Sequence, residues 1–199
     1  MFWLGGSPCA GKSSISEIIS SRFGLEVYHV DDAFGVHAQR SDPVRHPALT
    51  KWLASSWDQR WTQPIDSLVR DAIACYQEHF TFILEDLFSI ASRKPLLVEG
   101  TALLPRQITR VLSRRSRAIW LVPTPDFQRA HYSERDWARA IVAQCSNPDV
   151  AFHNWMERDN RFAKWIEAEA RALSLSVLSV DGSRTIEENG ETVAAHFHL

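Results

Sequence analysis

Five short apolar runs recur along the chain, and longer stretches with helical periodicity separate them. The runs cover residues 1–4, 25–30, 95–98, 118–122 and 173–180. Runs this short and this apolar are typical of strands buried on both faces, which is the usual state of a parallel sheet. The pattern therefore predicts an α/β fold in which helices cover both faces of a mostly parallel sheet.

Apolar residues spaced three or four apart predict the helices between these runs. The first helix ends at Gly24, and a long second helix begins after Pro64. Further helices are predicted near residues 105–115, 125–145, 150–171 and 185–196. The segment 33–63 carries two prolines and three tryptophans without a clear period, so we expect irregular structure there.

Composition narrows the class of protein. The chain has 199 residues, a formal net charge of -2 and 45% hydrophobic residues, which suits one domain with a sizeable core. The absence of a basic excess disfavours a general binder of nucleic acid or of anionic membranes. Its three cysteines have no CxxC spacing, and no apolar run approaches the ~18 residues that span a bilayer. We expect a single cytoplasmic domain over residues 1–199 with no membrane partner.

A phosphate-binding motif follows the first apolar run. Residues 6–13 match G-x-x-x-x-G-K-[ST] at every fixed position, between a predicted strand and an amphipathic helix. Glycines let successive N–H groups point at phosphate oxygens, while the helix N-terminus attracts the same anion. Lys12 would contact the β and γ phosphates and Ser13 would ligate Mg²⁺. The residues expected to bind ATP are Gly6, Ser7, Pro8, Cys9, Ala10, Gly11, Lys12, Ser13 and Ser14.

The motif alone does not distinguish GTPases, motor ATPases and small-molecule kinases. Residues 32–35 offer a D-x-x-G sequence, but this lies only about twenty residues after the loop. The chain also contains no N-K-x-D sequence with which to read guanine. We therefore discount a switch GTPase.

Four motifs in this order resemble the nucleoside monophosphate kinase-like group of P-loop phosphotransferases. That group includes adenylate, shikimate and gluconate kinases and chloramphenicol phosphotransferase. The motifs are the P-loop, the sequence Val30-Asp31-Asp32 at the end of the second strand, the pair Arg158-Asp159, and the stretch 180–188 after the fifth strand. The resemblance spans nearly the whole chain, but only as short, spaced motifs.

The resemblance implies a three-layer fold around a five-stranded parallel sheet of order 2-3-1-4-5. It further implies a helical acceptor-binding flap within 33–63 and a lid within 125–165. Adenine would lie near Gly182 and Arg184, and the acceptor would be a hydroxyl of a small molecule. The run from Glu99 to Arg106 has extra residues compared with the DGxPR of nucleotide kinases, which argues against a nucleoside monophosphate acceptor.

Acidic residues at two strand ends are the candidates for acceptor and metal binding. Asp31 would orient the acceptor hydroxyl and take its proton, although Asp at such a place also caps helices; Asp32 is a weaker candidate. Glu99 would hold Mg²⁺ or bind the acceptor, unless it is a buried carboxylate that caps the next helix.

Arginines are the candidates for binding the transferring phosphoryl group. In the presumed lid, Arg158 and then Arg135 are favoured over the alternative of solvated helix residues paired with neighbouring carboxylates. Arg106 is a further candidate for contacting the substrate, although it begins a basic stretch typical of a solvated helix end.

These residues together predict an ATP- and Mg²⁺-dependent kinase that acts on a small-molecule hydroxyl. Two alternatives stay open at this point. One is a nucleotide-binding regulatory module without small-molecule kinase activity, in which segment 33–63 contacts a protein partner. The other is a kinase for nucleotides or nucleic-acid ends, against which the slightly acidic balance argues weakly.

Overall fold

Five parallel strands form the centre of the computed structural model, which describes residues 1–90 and 94–199. The strands are β1 (Phe2–Gly6), β2 (Glu26–His29), β3 (Leu96–Glu99), β4 (Ala118–Pro123) and β5 (Ser176–Val180). Their order in the sheet is β2-β3-β1-β4-β5, and every neighbouring pair is parallel. The predicted strand order is therefore confirmed.

Helices surround the sheet. They are α1 (Lys12–Phe23), α2 (Val30–Gln39), α3 (Pro47–Ala54), α4 (Trp57–Trp61), α5 (Ile65–Ser89), α6 (Pro105–Ile108), α7 (Pro125–Ser133), α8 (Asp136–Val142), α9 (Pro148–Ala172) and α10 (Ile186–Phe197). A short 3₁₀ turn, Arg115–Arg117, precedes β4. None of the helices in the described ranges is long and apolar enough to cross a membrane.

Alternate residues of the central strands face two separate cores. Phe2 and Leu4 of β1 pack into the cluster formed with α1 and α10, whereas Trp3 packs into the cluster formed with α5 and α9. Successive side chains of a strand point to opposite faces of its sheet, so an unbroken apolar run places apolar groups on both. The result is the predicted three-layer arrangement.

The expectation of irregular structure in segment 33–63 is wrong. Three helices occupy it: α2 and α3 pack on α5 through a small core that includes Leu49 and Phe82, whereas α4 packs on α9. Pro47 begins α3 instead of interrupting a helix, because a first-turn proline loses no intrahelical hydrogen bond. Each helix is too short for its period to be evident in the sequence.

Three predicted boundaries also need correction. The stretch 105–115 is helical only over Pro105–Ile108, and the predicted helix 125–145 is two helices separated at Glu134 and Arg135. The fifth strand begins at Ser176, because α9 continues to Ala172. Asp31 and Asp32 do not end the second strand; they lie in the first turn of α2, where carboxylates interact favourably with the helix dipole.

Candidate active site

The turn between β1 and α1 has a backbone that depends on glycine. Gly6 has a φ of 131°, and a Cβ there would lie 2.0 Å from the carbonyl oxygen of Leu121. Gly11, at the N-cap of α1, has a φ of 74° and makes no side-chain cap. The first N–H groups of α1 are therefore available to an anion, as in helix N-termini that bind phosphate.

Lys12 lies across this loop and is connected to Asp31 through one threonine. Its Nζ donates to the carbonyl oxygen of Ser7 at 3.0 Å and to Thr101 Oγ1 at 3.3 Å. The backbone N–H of Thr101 donates to Asp31 Oδ1 at 3.3 Å, and its hydroxyl donates to Oδ2 at 3.5 Å. The Lys12 ammonium and the Asp31 carboxylate thus lie on either side of the Thr101 hydroxyl group.

Glu99, the last residue of β3, connects Ser13 to a histidine. Ser13 Oγ donates to Glu99 Oε1 at 3.2 Å, while His29 Nδ1 lies 2.7 Å from Glu99 Oε2. His29 ends β2 in register with Glu99, so the two strand ends place the side chains together. Glu99 is almost fully buried, and these two contacts fix both of its oxygens.

Ser13 and Glu99 fit the ligands that Mg²⁺ takes beside a nucleotide. Mg²⁺ in such sites is bound by one or two protein oxygens, with phosphates and waters completing the octahedron. Among residues 1–90 and 94–199 no group of three or more His, Cys, Asp or Glu could form a metal cage. The Ser13 hydroxyl and Glu99 carboxylate oxygens, 3.2 Å apart at the foot of α1, would suit a partly hydrated cation.

A buried ion pair lies on the side of α9 that faces the P-loop. Arg158 Nε is 2.8 Å from Asp159 Oδ1, although the alignment is too poor for a hydrogen bond, and Tyr132 donates its hydroxyl to Oδ2 at 2.9 Å. Burial raises the pKa of Asp159 despite the opposing charge of Arg158. Burial alone would lower the pKa of Arg158, but the charges of Asp159, Tyr76 and Tyr132 outweigh it and raise the value.

Arg135 is the N-cap residue of α8 and lies at the rim of the same cleft. Its guanidinium is 5.4 Å from the ring of Tyr132 and 5.6 Å from that of Trp137. It has no carboxylate partner within the ranges that the structure describes, so its charge is available to a ligand.

These groups line one cleft with a volume of about 520 Å³. Beyond the P-loop and Asp31, its walls come from α2 to α5 on one side and from α7 to α9 on the other. The two sides meet where Trp61 stacks on Trp155, with ring centroids 4.3 Å apart and an angle of 12°. The residues that complete the aromatic part of the wall are Phe34, Trp52, Tyr76, Tyr132 and Trp137.

The structure brings Lys12, Ser13, Asp31, Arg135 and Arg158 to the walls of this cleft. Thr101 also lies in the wall, where its hydroxyl accepts a hydrogen bond from Lys12. Glu99 lies behind the wall and accepts a hydrogen bond from Ser13. The assignment of phosphate, metal and acceptor roles to these residues stays a prediction.

Other candidates lie elsewhere. Arg106 is largely exposed, forms an ion pair with Glu169 at 3.2 Å and is not part of the cleft wall, so the structure does not bring it together with the other candidates. Asp32 is exposed and is not part of the cleft wall. Gly182 and Arg184 lie in the turn after β5, outside the wall, although the next helix places Ile186 against Gly11.

Cys9 contributes its backbone to the P-loop, and its thiol is not reactive. Burial raises its pKa to about 11, and the nearby Arg135 and Lys12 only partly oppose this. The thiol is therefore protonated at neutral pH and a poor nucleophile. Its φ of 63° shows that the loop needs a left-handed residue here, which is rare for a residue other than glycine.

Sequence reasoning missed Thr101, His29, Tyr132 and Trp155. Thr101 follows the Glu99-Gly100 pair and could have been found by asking which polar residues follow β3. His29 directly precedes Val30-Asp31 and carried a similar signal. Nothing in the local sequence marks Tyr132 or Trp155, because their contacts join helices that are distant in the chain.

Comparison with solved structures identifies the fold. Shikimate kinase from Bacteroides thetaiotaomicron is similar with a TM-score of 0.56 at 12% identity, covering 99% of this chain and 97% of that one. A gluconokinase from Sinorhizobium meliloti 1021 has a TM-score of 0.51 at 16% identity, covering 98% and 90%. Deoxyadenosine kinase from M. mycoides with bound dATP has a TM-score of 0.52 at 13% identity, covering 100% of both chains.

This chain has the fold of these P-loop kinases. No family model matches it, and no curated protein matches its sequence. At identities of 12–16% the likeness establishes the fold and not the substrate. Any more specific function has to be argued from the cleft.

Proposed function

We propose that this protein is an ATP- and Mg²⁺-dependent phosphotransferase that moves the γ-phosphoryl group of ATP to a hydroxyl of a small molecule. The observation that carries the proposal is the contact chain from Lys12 through Thr101 to Asp31 at the mouth of the P-loop. The Lys12 ammonium and the Asp31 carboxylate, which the proposal assigns to phosphate and acceptor, line the same cleft. The kinases with a similar fold support the same class of reaction.

Each residue then has a chemical task. The P-loop N–H groups and Lys12 bind the phosphate tail, and Asp31 orients the acceptor hydroxyl. As the acceptor oxygen forms its bond to the γ-phosphorus and the bond to the β-phosphate oxygen breaks, Asp31 takes the hydroxyl proton and ADP leaves. Mg²⁺ held by Ser13 and Glu99 would supply neutralising charge for the phosphates. Arg158 and Arg135 would stabilise negative charge on the transferring group.

Segments 33–63 and 125–165 would act as acceptor flap and lid. Both contribute walls to the cleft, and closing such walls over the phosphates excludes water that would otherwise compete with the acceptor. We also propose a cytoplasmic location. The support is that Cys9, Cys75 and Cys145 are all buried and unpaired, which is typical of a reducing compartment.

The decisive experiment replaces Asp31 with Asn. The amide keeps the shape but cannot take a proton, so we expect turnover to fall by about 10²-fold or more while ATP affinity changes little. Calorimetry with Mg-ATP and a coupled assay for ADP release measure the two quantities. Full turnover in Asp31→Asn would remove the residue from this role.

Two further variants sharpen the result. Asp32→Asn changes the neighbouring exposed carboxylate, and loss of turnover there instead would transfer the acceptor role to Asp32. Lys12→Ala should weaken both ATP binding and turnover. ATP consumption that never depends on an added hydroxyl compound would instead favour a nucleotide-dependent regulatory module.

A further inference from the structure

The walls beside Asp31 are aromatic. Phe34 lies one helical turn after Asp31 on α2, and Trp52 packs edge-on against it with ring centroids 4.7 Å apart. Tyr76, from α5, completes this corner of the cleft; burial is the main cause of the raised pKa of its phenol, and the charges of Asp159 and Asp31 add to it. Three rings from three helices thus line the same cleft as the Asp31 carboxylate.

The cations in the cleft wall are already engaged with protein groups. Lys51 pairs with Asp71 at 2.6 Å, and Arg158 pairs with Asp159. The Arg60 guanidinium lies 3.8 Å from the centre of the Trp52 ring and donates to that residue's carbonyl oxygen at 2.6 Å.

Three cations of the described wall lack a carboxylate partner, and one of them is Arg60, which the Trp52 carbonyl oxygen and two indole rings hold. Lys12 belongs to the phosphate loop, and Arg135 lies at the lid rim beside Tyr132. An acceptor that carried its own carboxylate or phosphate would find one cation without a carboxylate partner beside Trp52, the Arg60 guanidinium, which the Trp52 carbonyl oxygen and two rings already hold. It would also lie near Asp31, whose charge repels it.

The same walls disfavour the other acceptor classes. A sugar-like polyol needs a polar partner for each buried hydroxyl, whereas this corner presents mainly rings. A cationic acceptor would compete with the Arg60 guanidinium that already covers one side of the Trp52 indole. Aromatic side chains bind flat rings by stacking or edge contacts, in addition to the area that they bury.

We propose that the acceptor is an uncharged alcohol with a planar aromatic ring, bound against Phe34, Trp52 and Tyr76 so that its hydroxyl reaches Asp31. This inference rests on the proposed phosphotransferase function and specifies the substrate class of the same cleft. Trp52 acts here as a residue that determines specificity.

The experiment compares acceptors that differ separately in ring and in charge. Thymidine, adenosine and 4-nitrobenzyl alcohol are neutral and carry a ring; thymidine 5′-monophosphate keeps the ring and adds charge. Sorbitol is neutral without a ring, and gluconate is its anionic counterpart. Mass spectrometry of the product and the kcat/KM for ATP-dependent transfer are measured for each. We expect at least one neutral ring compound to exceed every other class by about tenfold or more, the effect of one well-packed ring contact.

Matched variants locate the effect on the cleft wall. Trp52→Leu removes a ring that lines the cleft, whereas Trp57→Leu removes the other indole that contacts Arg60, at 4.4 Å, but does not line it. We expect Trp52→Leu to raise the KM for the ring-bearing acceptor by about tenfold with the KM for ATP unchanged, and Trp57→Leu to change neither. If Trp52→Leu does not fold, Phe34→Leu is the replacement variant, with the same expected result.

The outcomes separate the two proposals. Preferred phosphorylation of gluconate, sorbitol or the monophosphate would overturn the substrate class and leave the phosphotransferase intact. ATP binding without phosphorylation of any neutral ring compound would also overturn the substrate class. Equal KM changes in the Trp52 and Trp57 variants would remove the specificity role of Trp52. Failure to bind Mg-ATP would overturn the proposed function and this inference with it.

Discussion

Gly6 illustrates how one missing side chain permits the phosphate loop. Its φ of 131° is disfavoured for any residue with a Cβ, and the backbone of Leu121 occupies the space that the Cβ would need. The neighbouring strand β4 is part of the central sheet and cannot withdraw without losing hydrogen bonds. Both the conformation and the contact therefore require glycine.

Gly6→Ala should destabilise the protein by about 2 kcal/mol or more, because overpacking and backbone strain add together. Urea unfolding followed by circular dichroism measures this change. Gly35→Ala is the matched control, since Gly35 lies within α2 and a Cβ there meets no atom within 4 Å. That control should be more stable by about 0.5–1 kcal/mol. Equal effects of the two substitutions would contradict this account of the loop.

His29 is a positioning residue for Glu99. The 2.7 Å contact between His29 Nδ1 and Glu99 Oε2 orients the carboxylate whose other oxygen receives the Ser13 hydroxyl. Residues that orient metal-binding side chains in this way affect metal affinity although they do not touch the ion.

His29→Ala should raise the Mg²⁺ concentration needed for half-maximal activity by about 10- to 100-fold. This concentration is measured by following activity as Mg²⁺ is added at saturating ATP. His29→Gln, which retains a donor, should recover part of the affinity, and the exposed His131→Ala should leave it unchanged. An unaltered Mg²⁺ requirement in His29→Ala would show that the histidine only packs at the strand end.

At the scale of elements, α4 and α9 join the two sides of the cleft. Trp61 stacks on Trp155, and Asn154 Nδ2 donates to the Trp61 carbonyl oxygen at 2.8 Å. Nearby, Asp58 Oδ1 accepts from the backbone N–H of Ser146 at 2.7 Å. These contacts make segment 33–63 and the helices after β4 depend on one another.

A double-mutant cycle on Trp61 and Trp155 should give a coupling energy of about 0.5–1.5 kcal/mol, the range for aromatic pairs. Both residues are changed to Leu singly and together, and the free energy of unfolding is measured in urea. Trp165 lies on the same helix but stacks on Phe162, so a cycle of Trp61 with Trp165 should be additive. Additivity in both cycles would mean that the stack does not couple the two sides.

At the scale of the whole molecule, a buried histidine pair makes stability depend on pH. His37 Nδ1 and His79 Nε2 are 2.9 Å apart, and His79 Nδ1 has no hydrogen-bond partner in the described part of the chain. Burial, followed by the charge of His37, lowers the pKa of His79 to about 4, with Asp86 opposing the shift. Between pH 4 and pH 6.5, His79 is therefore protonated in the unfolded chain but neutral in the folded chain.

Stability should therefore be complete above about pH 6.5 and should fall by up to ~3 kcal/mol as the pH drops towards 4. Urea unfolding between pH 4 and 8 measures this slope. His79→Leu should flatten it even though the substitution itself lowers stability, whereas the exposed His131→Leu should preserve it. An unchanged slope in His79→Leu would assign the acid sensitivity to other groups.

The sequence by itself determined the sheet order, the phosphate loop and the candidate roles of Lys12, Ser13, Asp31 and Glu99. The loop could be predicted because its glycines, lysine and serine act within eight consecutive residues. The strands could be predicted because burial on both faces produces unbroken apolar runs, and the order followed from the family resemblance. The short helices of segment 33–63 could not be predicted because their stability comes from packing on α5 and α9 and not from their own period.

Only the tertiary structure decided which polar groups meet. Thr101 lies between Lys12 and Asp31, His29 meets Glu99 across two strand ends, and Arg106 pairs with Glu169. The aromatic wall of the cleft likewise combines side chains from seven helices. Such contacts join residues that are far apart in the chain. They depend on how helices and strands pack, and no local pattern of hydrophobic and polar residues encodes that geometry.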